Sequence, residues 1–431
     1  MASEVGELDV EAQRGNNSPQ LADTDADAGA STAAPDTRLS HTTRHLASPL
    51  GPRGLDGTAL RIWVLSRIAI FVFAWNIAWV TQPLTKYSPR GFGGLWDRWD
   101  WVRYSQIAAH GYSLRARHGA SIAFFPGYPL VLSVAHLVVR SWLYTGLIVS
   151  FAAGAVAAVA LARIIALEAG AAFGTDQAGL AKARTAVREG VLFWTFAPAA
   201  VFLAAGYTES LFLALALPAW LTARRGRWLT TGLLLAGASA IRINGLFELA
   251  AVSVLFLQTR PRGLRDWLRG TPLLIALAPV IAFMAYLHSL TGSWLAWQHA
   301  EAAGWNRHIT EPLRSLVNTW RYAFDAKLPA YNAWEYQLEL LAMAVGAALL
   351  IWLLLRRRWA ESVYVGLSVV SLGTSHVYLS VPRELLVWWP LWALLGVWTV
   401  RRPWIRTVYL SVCAPLMFTV AYLFLMGLWA G

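Results

Sequence analysis

Two acids lie among tryptophans in a short polar stretch that follows the first strongly apolar part of the chain. The stretch covers residues 96–132 and contains Asp97 and Asp100. On a helix, an i, i+3, i+4, i+7 spacing would place four of its side chains on one face: Asp100, Arg103, Tyr104 and Ile107. A Trp-rich amphipathic helix of this kind is typical of a membrane interface, where a carboxylate could serve as a general base.

Each of the two acids has a catalytic and a structural interpretation. Asp100 could accept the proton of an attacking hydroxyl, or it could pair with Arg103 along the helix. Asp97, three residues earlier, would share the helical face and could raise the basicity of Asp100 or hold an acceptor. It could equally pair with Arg98 or Arg103 on a solvated face.

Polar residues interrupt the apolar sequence at three further places downstream. Glu209 has apolar residues on both sides, and an acid in such a setting indicates either a function or a helix N-terminus. Arg242 and Asn244 break another apolar run, and Arg242 could pair with Glu209 or receive a phosphate through its planar fork. Arg383 could pair with Glu384 or another local acid, or it could bind a phosphate together with Arg242.

Composition places the chain in a membrane. It is 57% hydrophobic, contains 24 Trp and is only 14% charged, unlike an average soluble domain. The net charge of +12 could suggest nucleic acid, but the arginine clusters lie at the ends of apolar runs, where membrane topology explains them. We therefore expect a lipid bilayer as partner and no nucleic acid. The single Cys413 excludes a disulfide framework and a cysteine metal site.

The chain divides into a tail and a membrane domain. Residues 1–57 are acidic, rich in small and polar residues and without an apolar core, which predicts a disordered cytoplasmic tail. No signal-peptide core precedes 59–80, so this run should be an uncleaved first span. The membrane domain, 58–431, is predicted to be an all-α bundle of about 9–11 transmembrane helices by the usual length criterion.

The basic clusters predict which connections share a side of the membrane. Placing all of them in the cytoplasm, with the N-terminus, puts five segments on the opposite side: 81–125, 206–209, 242–245, 291–336 and 381–384. This arrangement requires one of the runs 126–139 and 141–162 to be partial or re-entrant, and Pro126 and Pro129 favour the first. The short runs on either side of 242–245 resemble an interrupted helix that presents polar groups to a cavity.

Several of these motifs resemble one known family. Residues 99–112, with Trp99-Asp100 and Gly111-Tyr112 at their ends, are similar to the W-D-x-x-[H/W]-[F/Y]-x-x-I-A-x-x-G-Y box of the PIG-V-type mannosyltransferases, which are GT-C membrane glycosyltransferases. Arg103 stands where that family usually has His or Trp. Residues 123–129 resemble its A-F-F-P-x-[Y/F]-P box, and 207–212 resemble Y-[ST]-E-S-L-F.

The later boxes match more loosely. Residues 242–246 resemble R-x-N-G-[L], 291–307 resemble T-G-[D]-x-x-[A]-F followed by W-x-R, and 383–390 resemble R-Y-x-x-x-x-x-P. Ser293 replaces the usual acid and Glu384 the usual aromatic residue. Trp305 is either an interface anchor or a platform for a sugar.

The resemblance implies a function and a set of site residues. It implies transfer of mannose from a polyprenyl-phosphate donor to a hydroxyl of a lipid-linked or cell-envelope glycan, with inversion and without a cofactor or metal. Asp100 would be the general base, with Asp97 beside it. The implied substrate-binding residues are Arg103, Tyr104, Tyr128, Glu209, Arg242, Asn244, Trp305, Arg307 and Arg383.

A transporter or lipid flippase is the alternative, because it would also need buried charges and broken helices. Matching interruptions in two halves of the chain would be expected of it, and none is visible. The excess of Arg over Lys is typical of a GC-rich genome and favours a bacterial plasma membrane.

Overall fold

The computed structural model describes residues 52–81, 91–113 and 119–430, and in these ranges the chain is all-helical. This confirms the predicted all-α class. The α-helices are α1 Pro52–Thr81, α2 Gly91–Trp96, α3 Asp100–His110, α4 Gly127–His136, α5 Trp142–Phe173, α6 Gln177–Thr195, α7 Thr208–Ala223, α8 Trp228–Ile241, α9 Asn244–Gln258, α10 Leu264–Gly270, α11 Ala278–Thr291, α12 Ala296–Trp305, α13 Pro312–Trp320, α14 Ala330–Leu355, α15 Trp359–Gly373, α16 Val381–Val387, α17 Trp389–Arg401 and α18 Trp404–Leu425.

Short 3-10 and π turns connect several of them. The 3-10 turns are Gly119–Ala123, Ala200–Leu203 and Thr271–Leu277, and the π turn is Arg321–Asp325. Most of the predicted tail lies outside the described residues. Its last six residues, 52–57, belong to α1, so the first helix begins earlier than the sequence predicted.

Five described helices are long and apolar enough to cross a membrane, which agrees with the predicted multi-pass character. They are Gly54–Thr81, Trp142–Phe173, Leu264–Thr291, Ala330–Leu355 and Trp404–Leu425. Three shorter apolar helices, α7, α8 and α9, accompany them. The predicted total of about 9–11 spans stays a prediction.

Helix α5 is the centre of the bundle and packs against α1, α6, α7 and α17. Its Gly154 lets the fully buried Trp63 of α1 approach, since a Cβ there would lie 2.1 Å from the Trp63 ring. Arg67, one turn further along α1, is buried and donates to the backbone carbonyls of Thr195 and Ala200. The first helix thus supports the turn that leads to Glu209.

The apolar sequence is interrupted at residues 242–245, as predicted. Helix α8 ends at Ile241, Arg242 is extended, and a new helix begins at Asn244. Arg242 is therefore presented at a break between helices rather than on a helical surface.

Helix α4 has ten residues and is therefore about 15 Å long, too short to cross a hydrocarbon layer of about 30 Å.

Helix α3 differs from the prediction at its start. It begins at Asp100, after Trp99 in a left-handed backbone conformation (φ +49°), and it ends as predicted at Gly111 (φ +75°). Asp97 therefore precedes the helix and does not share a helical face with Asp100. The reason is local: a left-handed residue between them turns the chain before the helix can begin.

Candidate active site

The segments predicted to lie on one side of the membrane converge on a single cavity of about 640 Å³. Its lining includes side chains from α3, from the break between α8 and α9, from α12 and the residues after it, and from the start of α16. A volume of this size is within the range of small-molecule sites. The charged residues that line it are Asp100, Arg242, Glu301, Arg307, Arg383 and Glu384.

Arg383 connects Asp100 to Glu209 at the bottom of this cavity. Its Nη1 donates to Asp100 Oδ2 at 3.0 Å, and its Nε and Nη2 donate to Glu209 Oε1 at 3.1 and 2.8 Å. The guanidinium also lies over the rings of Phe202 and Tyr207, at 4.6 and 4.9 Å from their centroids. The contact with two aromatic rings and three charge-assisted hydrogen bonds together fix the orientation of this arginine.

Arg242 occupies the other side of Glu209. Its Nη1 donates to Glu209 Oε1 at 2.8 Å and to Thr208 Oγ1 at 3.1 Å, and its Nη2 donates to Glu384 Oε1. Asn244 Nδ2 donates to the second oxygen of Glu384 at 2.8 Å. The pairing of Arg242 with Glu209 that the sequence suggested is therefore present, and Glu384 pairs with Arg242 rather than with Arg383.

These contacts form one cluster of two guanidinium groups and three carboxylates. With all five groups ionised the cluster carries one net negative charge, and Glu209, fully buried, is shared by both arginines. Asp100 is the most solvent-accessible of the three acids, with 16% of its side chain exposed. Asp100 lines the cavity, Arg383 holds its Oδ2, and within the described residues its Oδ1 accepts no hydrogen bond.

Arg307 is held more loosely than the two arginines of the cluster. Its Nη1 lies 3.5 Å from Glu301 Oε2 and its Nη2 lies 3.3 Å from the Leu379 carbonyl, with 34% of the side chain exposed. Burial raises the pKa of the Glu301 carboxyl, the charge of Asp100 adds to this effect, and Arg307 opposes it.

Aromatic side chains form the apolar walls of the cavity. Tyr104 and Trp305 both line it, and each packs edge-on against Phe124 with ring centroids 4.9 and 5.3 Å apart. Trp297 lines it as well and donates to the Ala123 carbonyl at 2.9 Å. These tryptophans contribute to the cavity rather than to a belt on the outer surface.

Four of the predicted site residues do not line the cavity, and one of these, Glu209, belongs to the charged cluster. Tyr128 is fully buried behind Tyr104, Arg103 is half-buried on α3, and Asp97 is exposed ahead of that helix. The remaining predicted residues are brought together, with Glu209 beneath the lining.

The sequence prediction missed two acids that the structure brings to this region. Glu301 lines the cavity, and the buried Glu339 of α14 accepts backbone N–H groups at the start of α16. Glu339 could have been found, because it is an acid inside an apolar run, where a charge is expensive. Glu301 gave no such signal.

In the ranges that the structure describes, no group of three or more His, Cys, Asp or Glu side chains is arranged to hold a metal ion. The three carboxylates of the cluster contact arginines instead. Chemically, the arrangement offers a carboxylate oxygen toward the cavity, an exposed arginine on its wall, and two arginines that hold the acids in place.

A comparison with solved structures gives a limited overall likeness. ArnT from Cupriavidus metallidurans, solved with undecaprenyl phosphate bound, has a TM-score of 0.41 and 15% sequence identity with this chain. The alignment covers 83% of this chain and 62% of ArnT.

Sequence comparison gives more specific relatives. A rat protein described as GPI alpha-1,6-mannosyltransferase 2 (Rattus norvegicus) is 31% identical over 246 residues, which is 55% of this chain and 48% of the rat protein. The mouse protein of the same description (Mus musculus) is 38% identical over 159 residues, 36% of this chain and 30% of its own length. The chain thus spans less than half the length of either relative.

The family model described as Mannosyltransferase (PIG-V) matches residues 79–284. The matched region contains Asp100, Glu209, Arg242 and Asn244, and it ends before Arg307 and Arg383. Residues 79–284 are therefore similar to the PIG-V mannosyltransferases, which confirms the resemblance that the motifs predicted.

Proposed function

We propose that this protein is a membrane mannosyltransferase that moves mannose from a polyprenyl-phosphate donor to a hydroxyl of a lipid-linked or cell-envelope glycan. The single observation that carries the proposal is the Asp100–Arg383 pair at the cavity, 3.0 Å long, which fixes one carboxylate oxygen and leaves the other without a hydrogen bond from the described residues. The similarity to the mannosyltransferase family model over residues 79–284 supports mannose as the transferred sugar. The relatives described as mannosyltransferases also support it.

Asp100 is the general base in this proposal. A base must lie within hydrogen-bond reach of the proton it removes, and Oδ1 is the oxygen that a hydroxyl in the cavity can approach. Arg383 prevents the carboxylate from rotating, because it holds Oδ2 and is itself held by Glu209. A fixed carboxylate costs less reorganisation at the moment of reaction.

Arg307 is the cation that we propose for the donor phosphate. Arg242 already donates to Thr208, Glu209 and Glu384, so a phosphate there would have to displace a carboxylate. Within the described part of the chain, Arg307 has only two hydrogen bonds, both long, and it is one-third exposed. A planar guanidinium can bind two phosphate oxygens at once and stabilise the charge of the leaving group.

The proposed step is a single inverting displacement. The acceptor oxygen forms a bond to the anomeric carbon of mannose while the bond from that carbon to the phosphate oxygen breaks. The bonding electrons leave with the lipid phosphate, and the hydroxyl proton moves to Asp100 Oδ1. The aromatic walls around Trp305 and Tyr104 would exclude water, so that the acceptor rather than water receives the sugar.

The reaction is proposed to take place on the non-cytoplasmic face of a bacterial plasma membrane, with a cytoplasmic N-terminus. Convergence of the segments at 208, 241–244, 297–309 and 379–384 on one cavity supports a shared side for them. The position of the basic clusters supports the cytoplasm as the opposite side. The proposed chemistry uses no cofactor or metal.

Asp100→Asn tests this proposal, with Asp97→Asn as the matched control. Purified protein in nanodiscs is given labelled polyprenyl-phosphate-mannose and an extract of membrane glycolipids, and mannosylated product is measured. We expect Asp100→Asn to lower kcat by about 10²–10⁴, the usual contribution of a general base. The exposed Asp97→Asn should stay within about twofold of the parent.

Three outcomes would contradict the proposal. Full activity of Asp100→Asn would mean that Asp100 is not the general base. Equal loss of activity in Asp100→Asn and Asp97→Asn would mean that the effect is not specific to the cavity. A parent protein that transfers no mannose but moves a lipid or solute across the membrane would favour the transporter alternative.

A further inference from the structure

The start of α16 is held by a carboxylate from a distant helix. Glu339, 3% exposed, accepts the backbone N–H of Ser380 at 2.7 Å on one oxygen and the N–H of Val381 at 2.8 Å on the other. Both oxygens of the buried acid are therefore bound to two consecutive amides. Helices α14 and α16 pack against each other at this point.

The backbone between these amides has a conformation that needs support. Ser380 has a φ of +67°, in the left-handed region that a residue with a Cβ adopts at a cost. A left-handed residue beside a right-handed one turns consecutive N–H groups toward the same point, and such a pair of amides binds an anion. The carboxylate of Glu339 occupies that point, so it stabilises a turn that would otherwise be strained.

The same turn determines where two residues of the charged cluster lie. Arg383 and Glu384 follow Val381 by two and three residues on a helix of only seven residues. A shift at the beginning of so short a helix moves both side chains. Arg383 would then leave Asp100 and Glu209, and Glu384 would leave Arg242.

Other contacts to this segment are weaker or lie further from the cluster. The Tyr378 N–H donates to Thr319 Oγ1 at 2.9 Å, and Arg307 Nη2 reaches the Leu379 carbonyl at 3.3 Å. Among the described side chains that hold residues 378–381, Glu339 is the buried acid, and it makes two bonds.

We propose that Glu339 is a positioning residue for the transferase reaction: by binding the amides of Ser380 and Val381 it fixes Arg383, and through Arg383 it aligns Asp100. This inference rests on the function proposed above. Glu339 acts through α16 and is not itself exposed to substrate.

Glu339→Gln is the first test, and Glu335→Gln is its matched control. Both acids lie on α14, one turn apart, and both are buried, but the structure shows no bond from Glu335 to the start of α16. In Glu339→Gln, the amide NH₂ would face one backbone N–H, so a donor meets a donor. We expect kcat to fall at least about tenfold, while the KM for polyprenyl-phosphate-mannose changes less than about threefold.

The separation of kcat from KM distinguishes positioning from general destabilisation. Loss of alignment between Arg383 and Asp100 affects the transition state, whereas donor binding through Arg307 and the aromatic walls remains. Glu335→Gln should retain kcat within about twofold. Equal loss of kcat in the two variants would overturn the inference.

Two further variants cover the case in which Glu339→Gln does not fold. Glu339→Asp keeps the charge but is one methylene shorter, and it should fold with a reduced kcat and an unchanged KM. Ser380→Gly, introduced together with Glu339→Gln, removes the cost of the left-handed conformation and should restore part of the lost kcat. A folded Glu339→Asp with the kcat of the parent would overturn the inference.

Hydrogen–deuterium exchange separates a failure of this inference from a failure of the proposed function. Peptides covering 378–388 should exchange faster in Glu339→Gln than in Glu335→Gln, whether or not the parent transfers mannose. Faster exchange of these peptides in Glu339→Gln, together with a parent that transfers no mannose, would support the role of Glu339 in holding α16 and refute the proposed function. Unchanged exchange, together with an active parent, would refute only the role of Glu339.

Discussion

Replacing Arg383 by Met should destabilise the protein more than replacing Glu209 by Gln. The first change leaves three carboxylates, Asp100, Glu209 and Glu384, facing only Arg242, and it removes three hydrogen bonds. The second leaves two carboxylates and two arginines, which can pair one to one. The charge balance of the cluster, rather than the number of contacts, decides the order.

The magnitudes follow from the burial of the cluster. Removing one partner of a buried ion pair costs about 3–5 kcal/mol, because the other charge is left without compensation. Arg383→Met should therefore lower the thermal midpoint by roughly 6–10 °C, at about 2 °C per kcal/mol. Glu209→Gln loses hydrogen bonds but also removes the excess negative charge, so we expect a cost of about 1–3 kcal/mol.

A double-mutant cycle makes this prediction sharper. Adding Asp100→Asn to Arg383→Met removes a carboxylate that has lost its partner, so the double variant should be more stable than Arg383→Met alone. The coupling should lie in the range of about 0.5–3 kcal/mol that contacting residues show. Thermal midpoints of the purified variants in one detergent, measured by size-exclusion chromatography after heating, give the order.

Either of two results would contradict the predicted order of stability and the predicted coupling. A Glu209→Gln variant as unstable as Arg383→Met would mean that the number of contacts outweighs the charge balance. Strict additivity of Asp100→Asn and Arg383→Met would mean that the two side chains do not interact in the folded protein.

Three further predictions concern the cavity and its support. Arg307→Gln should raise the donor KM by about tenfold, or about 1.4 kcal/mol, with a smaller change in kcat; initial rates at varied donor concentration test this, and an unchanged KM would contradict it. Burial raises the pKa of Glu301. Between the ordinary pKa of glutamate and this raised pKa, the folded protein binds a proton that the unfolded chain has lost, so the free energy of unfolding falls as pH rises through that range. Glu301→Gln should make that fall shallower in thermal midpoints measured against pH, and parallel curves for the two proteins would contradict it. Gly206→Ala places a Cβ 2.3 Å from the Trp101 ring, next to Asp100, and should cost about 1–3 kcal/mol and reduce transfer; Gly366→Ala, where the nearest atom is 3.4 Å away, is the control that should be tolerated.

Much of the candidate site could be predicted because local sequence determines where helices begin, end and break. Gly111 ends α3, and the polar residues at 242–245 interrupt an otherwise apolar run, as expected. The early motifs also carried the family resemblance, which the match over 79–284 confirms. Charged side chains in apolar sequence are rare enough to be noticed without a structure.

The start of α3 could not be predicted, and this removed one candidate base. A period of 3.6 residues places Asp97 and Asp100 together only if both are helical. Trp99 is left-handed instead, so Asp97 precedes the helix and is exposed. Helical periodicity carries no information about a single left-handed residue.

The sequence by itself determined the helical class, the apolar segments and most of the polar residues that meet at the cavity. Only the tertiary structure decided which charges pair, because Asp100 and Arg383 are 283 positions apart and no periodicity connects them. It also decided that Arg242 is enclosed by carboxylates while Arg307 is open, and that Glu339 supports α16. Pairing among buried charges depends on distances between helices, and these are set by the packing of the whole bundle.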